Sequence, residues 1–291
     1  MEGKKGNDGK DGRGGLQHFL LTRFNILLWQ KDKQGRPVRT TGWLEHRFAL
    51  FERFCLPSVM AQTCRDFEWI VLFDSMTPER YRSRIDGYRE ACPQLTPVFV
   101  EPGDGRHFAR IFREQAMARL RAGRVLTTYL DNDDALHVGF VEDLQGRASQ
   151  ACDGTFFYYD DGYQYYADDR YLLRIHYPRN HFVSVVEGRG DARGVFGYGS
   201  HYYIDTIGGV RIEHVRDLPM WCEVVHGKNM VNDANFLLGT RMVRDARRLR
   251  RDFAVDETVG YGAGTYLFRF LPRYLRTFMK RTRNFLFGRK W

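Results

Sequence analysis

Long hydrophobic runs are missing from this sequence. No stretch reaches the roughly 18 consecutive apolar residues that cross a membrane, so we expect no membrane-spanning helix. The first fifteen residues, MEGKKGNDGKDGRGG, also lack the apolar core of a signal peptide. Their glycines recur at every third position but without proline, which argues against a collagen triple helix. The prediction for residues 1–15 is a disordered polar tail.

Paired cysteines and cysteine-based metal motifs are lacking as well. The chain has 5 cysteines, an odd number, which are widely spaced and form no CxxC motif. Neither a zinc site nor a redox centre is therefore indicated, and the composition is typical of a reducing compartment. We expect a cytoplasmic protein.

Acidic residues are scarce in one part of the chain only. The 291 residues contain 45 Lys and Arg against 36 Asp and Glu, a net charge of +9. Residues 241–291 hold 14 of these basic residues and 4 of the acidic ones, which leaves 31 and 32 in residues 1–240, a charge of −1. Because the basic excess is confined to the last 51 residues, it argues for one charged surface rather than for general nucleic-acid affinity.

Apolar strands alternate with helical patterns through the first half of the sequence. Strands are predicted at four places, namely His18–Trp29, Asp66–Asp74, Pro97–Glu101 and Arg124–Asp131. Helices are predicted between them, at Leu44–Thr63, from Thr77 onward and at His107–Ala122. This alternation predicts an α/β fold, a sheet with helices on both faces.

The pattern changes after Ala151, where strands become short and aromatic. This half predicts an irregular, partly antiparallel second lobe without a linker to the first. We therefore expect three parts: the tail 1–15, one catalytic domain over 16–240 and a basic segment over 241–291.

An acidic motif, DNDDAL, follows the fourth predicted strand. Ligands bind at the carboxyl ends of strands in open α/β sheets, so this is where chemistry is expected. In an extended segment Asp131 and Asp133 would point the same way and converge on one cation. Carboxylate oxygens suit Mg²⁺ or Mn²⁺, with positions left for substrate phosphates. The alternative is a solvated turn whose aspartates cap a helix beginning near Leu136.

A DxD motif in this position resembles the GT-A glycosyltransferases, which use nucleotide-diphosphate sugars. The chain resembles more closely a bacterial family of rhamnosyltransferases, over most of Leu16–Thr240. The matching stretches are LTRFNI, RFALFERFCLPSVMAQTCRDFEWIVLFD, TTYLDNDDAL and PMWCEVVHGKN. The resemblance implies a GT-A (Rossmann-like) mixed sheet. It also implies metal-dependent transfer of a sugar, with rhamnose as the candidate, to a glycan or lipid-linked acceptor.

The resemblance also assigns roles to residues at the strand ends. Arg23 and Asp74, at the ends of the first two strands, would hold the nucleotide, with an ion pair and a helix cap as the respective alternatives. Asp131 and Asp134 would face the diphosphate. Arg110, like Arg113 on the same helix, would reach phosphates unless it simply lies on a solvated helix face.

A further metal ligand from the second half is frequent in this fold. His226, in VVHGKN, fits that position, although lone histidines often have a structural role. The predicted metal ligands are therefore Asp131, Asp133 and His226. Lys228 and Asn229 would assist with phosphate.

Inverting transfer also requires a base that takes the proton of the acceptor hydroxyl. SHYYIDTIGGV (Ser200–Val210) resembles the segment that precedes this base in inverting enzymes, and Asp217 follows it at a suitable distance. Arg216 replaces the first member of the usual Glu-Asp pair, so Glu187 and Glu213 stay open as alternatives. The QxxRW motif of processive synthases is absent, which favours non-processive transfer.

The basic segment predicts an amphipathic helix interrupted by Pro272. Its apolar residues fall on one side, namely Phe268, Leu271, Leu275, Phe278 and Met279. Such a helix would lie on an anionic membrane surface, or else pack on the catalytic domain with a solvated basic face. The Tyr-rich stretch Phe156–Tyr177 is either a platform for an acceptor sugar or a pair of aromatic edge strands.

Two other functions compete with sugar transfer. A nucleic-acid-binding protein would use the basic segment to grip phosphates, but it leaves DNDDAL without a purpose. A metal-dependent phosphohydrolase would need a nucleophilic aspartate after the first strand, where this chain has Arg23 and Asn25. Glycosyl transfer is the function that the sequence favours.

Overall fold

The computed structural model describes residues 15–28, 42–226, 240–245, 247–260 and 262–286. The predicted tail lies outside these residues except for Gly15. No helix within the described part is both long and apolar enough to cross a membrane.

Four parallel strands form one half of a central sheet. They are β1 (Leu16–Arg23), β2 (Glu68–Asp74), β3 (Leu95–Val100) and β4 (Arg124–Tyr129), arranged in the order β3-β2-β1-β4. The runs of Val, Leu, Ile and Phe that predict β1, β2 and β4 are continuous because both faces of the sheet are covered. All four are present near their predicted places, but β1 ends at Arg23, well short of the end predicted for the first strand.

Helices connect and cover these strands. They are α1 (Trp43–Leu50), α2 (Leu56–Met60), α3 (Glu79–Ala91), α4 (Phe108–Arg119) and α5 (Phe140–Gln150). A π-helical turn, Phe51–Cys55, joins α1 to α2. It ends two residues before Pro57, which has no amide hydrogen to donate to the helix. The helix predicted over Leu44–Thr63 is therefore present, but widened by one π turn.

The second half contributes shorter strands of mixed direction. These are β5 (Ala135–Leu136), β6 (Thr155–Tyr159), β7 (Asp161–Tyr166), β8 (Tyr171–His176), β9 (Ser184–Gly188), β10 (Arg211–Val215), β11 (Trp221–Val225) and β12 (Arg241–Val243). β9 runs antiparallel to β4 and extends the first sheet in the order β4-β9-β6-β10. A second sheet has the order β12-β8-β7-β11-β5. The mixed α/β fold with an aromatic second half is confirmed.

Alternate residues of β2 enter two different hydrophobic clusters. Trp69, Val71 and Phe73 belong to the cluster on one side of the central sheet, and Ile70 and Leu72 to the cluster on the other. Burial of such large side chains stabilises the fold by about 1.5–3 kcal/mol each. Packing on both faces therefore holds the central sheet, and with it the carboxyl edge, in place.

The C-terminal segment folds into two helical regions. α6 spans Arg248–Phe253. A longer helix runs from α7 (Ala263–Thr265) through a π turn (Tyr266–Phe270) into α8 (Leu271–Leu286). The helix predicted here is present, and it continues past Pro272, with the π turn ending two residues before the proline.

Candidate functional site

The DNDD segment lies at the carboxyl edge of the central sheet. It follows β4, and the amide of Asn132 donates to the carbonyl of Phe24, just after β1, at 2.7 Å. The next residue, Asn25, accepts a hydrogen bond from the backbone N–H of Asp74 at the end of β2, at 2.9 Å. The ends of β1, β2 and β4 are thus tied together at one edge.

The DNDD segment forms a turn rather than an extended strand. The backbone N–H of Asp134 reaches the carbonyl of Asp131 at 3.4 Å. The turn brings the first and last aspartates together, so Asp131, Asp134 and His181 have ligand atoms within 4.8 Å of one another. We call these three residues the metal group. The turn does not cap a helix, because α5 begins only at Phe140 and has no side-chain cap.

His181 reaches this edge because β9 is antiparallel to β4. Ser184 is paired with Thr128, so the residues before β9 lie at the carboxyl end of β4. Asn180 holds the segment before β9 in place. Its side chain donates to the carbonyl of Tyr159 at 2.8 Å and accepts from the N–H of Phe182 at 3.0 Å. Sequence reasoning missed His181, since its place depends on a strand direction that no local pattern reveals.

Asp134 and His181 form a close, mostly buried hydrogen-bonded pair. The imidazole Nε2 lies 2.7 Å from Asp134 Oδ2 and 4.0 Å from Asp131 Oδ2. Asp134 Oδ1 also accepts a hydrogen bond from the N–H of Val224 in β11, at 2.8 Å. Burial raises the pKa of Asp134 to about 7, and close carboxylates outweigh burial to raise the pKa of His181 to about 9. The imidazolium offsets part of the negative charge of the turn.

Asp133 belongs to a neighbouring cluster. Its Oδ2 lies 2.7 Å from Arg47 Nη1 and 3.1 Å from His226 Nε2, and His46 Nε2 lies 3.4 Å from the other nitrogen of His226. Burial alone would raise the pKa of Asp133, but the charge of Arg47 and the hydrogen bond from His226 lower it.

The predicted ligands are therefore divided between two clusters. Asp131 lies in the metal group, whereas Asp133 and His226 are paired with each other beside Arg47. Lys228 and Asn229 lie outside the described residues.

Arg23 lies beside the metal group in an aromatic cage. Its guanidinium is 4.9 Å from the ring centre of Phe108, 5.1 Å from that of Tyr129 and 5.3 Å from that of Phe196. It donates to the Tyr129 hydroxyl and to Asp131 Oδ1, the latter at 3.4 Å. Its buried Nε has no hydrogen-bond partner among the described residues. An unmatched guanidinium N–H next to a metal group is suited to a phosphate oxygen.

Of the other predicted nucleotide ligands, only Asp74 lies at this edge. Asp74 is buried, and its Oδ1 accepts from the N–H of Met76 at 2.7 Å. Arg110 is exposed and pairs with Glu114 on the same helix at 3.8 Å. Arg113 donates to the carbonyl of Ala192 at 2.7 Å.

The predicted bases make ordinary structural contacts. Asp217 has a side chain that is 73% exposed and accepts a hydrogen bond from Arg147 at 2.8 Å. Glu213 lies 3.5 Å from the same guanidinium. Glu187 is buried and accepts bonds from two backbone N–H groups and from the Tyr198 hydroxyl at 2.8–2.9 Å. No contact within the described residues joins these carboxylates to the metal group.

A histidine that the sequence did not single out lies closer to the metal group. The ring of His201 is 6.1 Å from that of His181, centre to centre. Its Nε2 is buried and has no hydrogen-bond partner in the described part of the chain. Burial, with the charges of His181 and Arg23, lowers the pKa of His201 to about 3. A neutral imidazole can accept a hydrogen bond at whichever ring nitrogen carries no proton.

Comparison with known proteins identifies the class. The family model described as "Putative rhamnosyl transferase" matches residues 17–236. The chain therefore belongs to this family, and the resemblance noted in the sequence is confirmed. No curated protein matches the chain.

Solved structures show distant similarity. The chain is similar to residues 1–349 of TarS from S. aureus, with 10% identity, a TM-score of 0.40, and coverage of 72% of this chain and 60% of that one. The same TarS fragment in complex with UDP gives 10% identity, a TM-score of 0.37 and the same coverage. The longer TarS structure gives 11% identity and a TM-score of 0.37, with 72% of this chain and 37% of that one covered. The match thus spans less than two thirds of each of these proteins.

Proposed function

We propose that this protein is a metal-dependent glycosyltransferase that moves a sugar from a nucleotide-diphosphate donor to a glycan or lipid-linked acceptor, without processivity. The observation that carries the proposal is the metal group at the carboxyl edge of the sheet, with Arg23 beside it. Family membership favours rhamnose as the sugar. We place the reaction in the cytoplasm and expect no nucleic-acid partner.

The donor atoms of the metal group suit Mn²⁺ or Mg²⁺. Asp131 and Asp134 offer carboxylate oxygens, and His181, once a metal displaces its proton, offers an imidazole nitrogen; this is a set that Mn²⁺ accepts more readily than Mg²⁺. Asp133 and His226 remain proposed ligands, in a second set that forms only if Arg47 releases Asp133. Replacing Asp134 and Asp133 separately by Asn distinguishes the two sets.

Arg23 and Asp74 would bind different parts of the donor. Arg23 would direct its free Nε–H to the departing diphosphate, where negative charge grows as the sugar–phosphate bond breaks, while Nη2 stays bonded to Asp131. Asp74 would contact the nucleoside at the end of β2. A bound metal ion would supply further neutralisation of the diphosphate.

An inverting reaction is proposed, and it needs a base for the acceptor hydroxyl. Asp217, predicted from sequence, remains one candidate. His201 is the second, supported by its buried Nε2, which has no hydrogen-bond partner among the described residues; it would act as a base only where the negative diphosphate offsets the charges of His181 and Arg23 that lower its pKa. In either case the acceptor oxygen bonds to the anomeric carbon, the diphosphate leaves, and the base takes the hydroxyl proton.

A nucleotide screen tests the proposal. The melting temperature of the protein would be measured with UDP, dTDP and GDP, each with and without Mn²⁺. A ligand that binds the folded but not the unfolded state raises the melting temperature. We therefore expect one of the three nucleotides to raise it, and to do so strongly only when Mn²⁺ is present. The proposal fails if none of the three stabilises the protein.

A further inference from the structure

The C-terminal helix, residues 263–286, leaves an apolar stripe open to solvent. The stripe consists of Phe268, Leu275, Met279 and Leu286, which are 78%, 48%, 65% and 70% exposed. Their spacings of seven, four and seven residues place them on one face of a helix. Four large apolar side chains aligned in this way form a patch rather than scattered exposed residues.

The opposite face of the same helix is attached to the protein body. Phe270 is buried in a core cluster, and Tyr274 packs against that cluster. Arg273 donates to the hydroxyl of Tyr171 in β8 at 2.6 Å and lies 3.6 Å from Asp169. The stripe therefore faces away from the body, and turning it inward would break these contacts.

The charge of the helix limits what can cover the stripe. Residues 263–286 contain six Lys and Arg and no acid. Arg276 and Arg283 are exposed and lie three residues before and four residues after Met279, which makes them neighbours of the stripe. A second copy of this chain would place like charges against each other. Nucleic acid would satisfy the charges but leave the apolar side chains without partners.

We infer that this helix docks on an anionic lipid surface. Phe268, Leu275, Met279 and Leu286 would enter the boundary between headgroups and acyl chains, while Arg276 and Arg283 contact the phosphates. Among the described residues this helix is not apolar enough to cross a membrane, and the proposed docking is peripheral.

The attachment also bears on the metal group. The Arg273 guanidinium lies over the ring of Tyr166 in β7, 5.3 Å from its centre. β7 pairs with β11, and the N–H of Val224 in β11 holds Asp134. A docked helix would therefore fix the orientation of the metal group toward the lipid surface. This consequence rests on the proposed function, whereas the docking itself does not.

Flotation of the full-length protein with vesicles tests the inference. One set of vesicles is phosphatidylcholine alone, and the other is a mixture of phosphatidylcholine and phosphatidylglycerol. We expect binding to the mixed vesicles that weakens with added salt, because the contacts to lipid phosphate are screened. Absence of binding to the mixed vesicles would overturn the inference.

Two variants connect the binding to the stripe. In the first, Phe268, Met279 and Leu286 are all changed to Ser, and binding should fall by at least about tenfold because apolar burial in the lipid is lost. The matched control changes Met76 and Leu218 to Ser, two exposed apolar residues outside the helix, and should bind as the wild type does. Unfolding temperatures of both variants would show that the fold is kept.

The other possible occupants are outcomes that refute the inference. If the stripe variant binds mixed vesicles as tightly as the wild type, the stripe does not dock on lipid. If sedimentation shows that the wild type is a dimer and the stripe variant a monomer, and if vesicles do not dissociate the wild-type dimer, the surface joins two copies. Neither outcome bears on nucleotide binding, so the proposed function is tested separately.

Discussion

We predict that His18 makes the protein sensitive to mild acid. The imidazole lies in β1, is about 1% exposed and has Nε2 2.8 Å from the hydroxyl of Thr128 in β4. Burial lowers the pKa of His18 from 6.5 to about 3. The neutral ring is therefore favoured in the folded state, whereas the unfolded chain binds a proton as the pH falls below 6.5.

The magnitude follows from this difference. Stability from the neutral ring is fully present above pH 6.5 and is lost as the pH falls toward 3, at about 1.4 kcal/mol per pH unit. Between pH 7 and pH 5 the loss from His18 amounts to about 2 kcal/mol. Urea denaturation at both pH values measures it in the wild type and in His18→Gln, whose amide can still bond Thr128.

Between pH 7 and pH 5 we expect the free energy of unfolding of the wild type to fall by about 2 kcal/mol more than that of His18→Gln. His107→Gln, which changes an exposed histidine, serves as the control, and its free energy of unfolding should fall by as much as that of the wild type. Equal losses in the wild type and His18→Gln would refute the reasoning, because the ring would then be protonated or solvated in the folded state.

Further predictions concern the site and the packing below it. Gly162→Ala should destabilise the protein by about 2 kcal/mol or more in urea denaturation, since the added Cβ would lie 2.2 Å from the Trp221 ring. Arg23→Lys should weaken nucleotide-diphosphate binding about tenfold by calorimetry, because Lys cannot reproduce the planar guanidinium within the aromatic cage; unchanged affinity would remove Arg23 from the donor site. If His201 is the base, His201→Asn should lower kcat at least about 100-fold while Asp217→Asn has little effect, and the reverse result would favour Asp217.

The first half of the fold is readable from sequence because its elements are defined locally. The apolar runs of β1, β2 and β4 and the helical spacing of α4 show each element and its order without knowledge of distant contacts. The position of DNDD at the carboxyl edge follows from the same alternation.

The grouping of side chains within the site was less predictable. The expectation that Asp131 and Asp133 converge assumed an extended backbone, but the segment turns and brings Asp134 to Asp131 instead. His181 required the antiparallel direction of β9, and the partnership of Arg47 with Asp133 joins residues 86 positions apart. Such contacts are set by tertiary packing, which periodicity and local propensity do not encode.

Nucleotide binding with the metal group altered tests the central claim most directly. Calorimetric titration of the stabilising nucleotide diphosphate, with and without Mn²⁺, would be made on the wild type, on Asp134→Asn and on Asp217→Asn as an exposed-acid control, after their folding is verified. We predict Mn²⁺-dependent binding in the wild type and in the control, and loss of the Mn²⁺ dependence in Asp134→Asn. Binding that is independent of Mn²⁺, or unchanged in Asp134→Asn, would contradict the account.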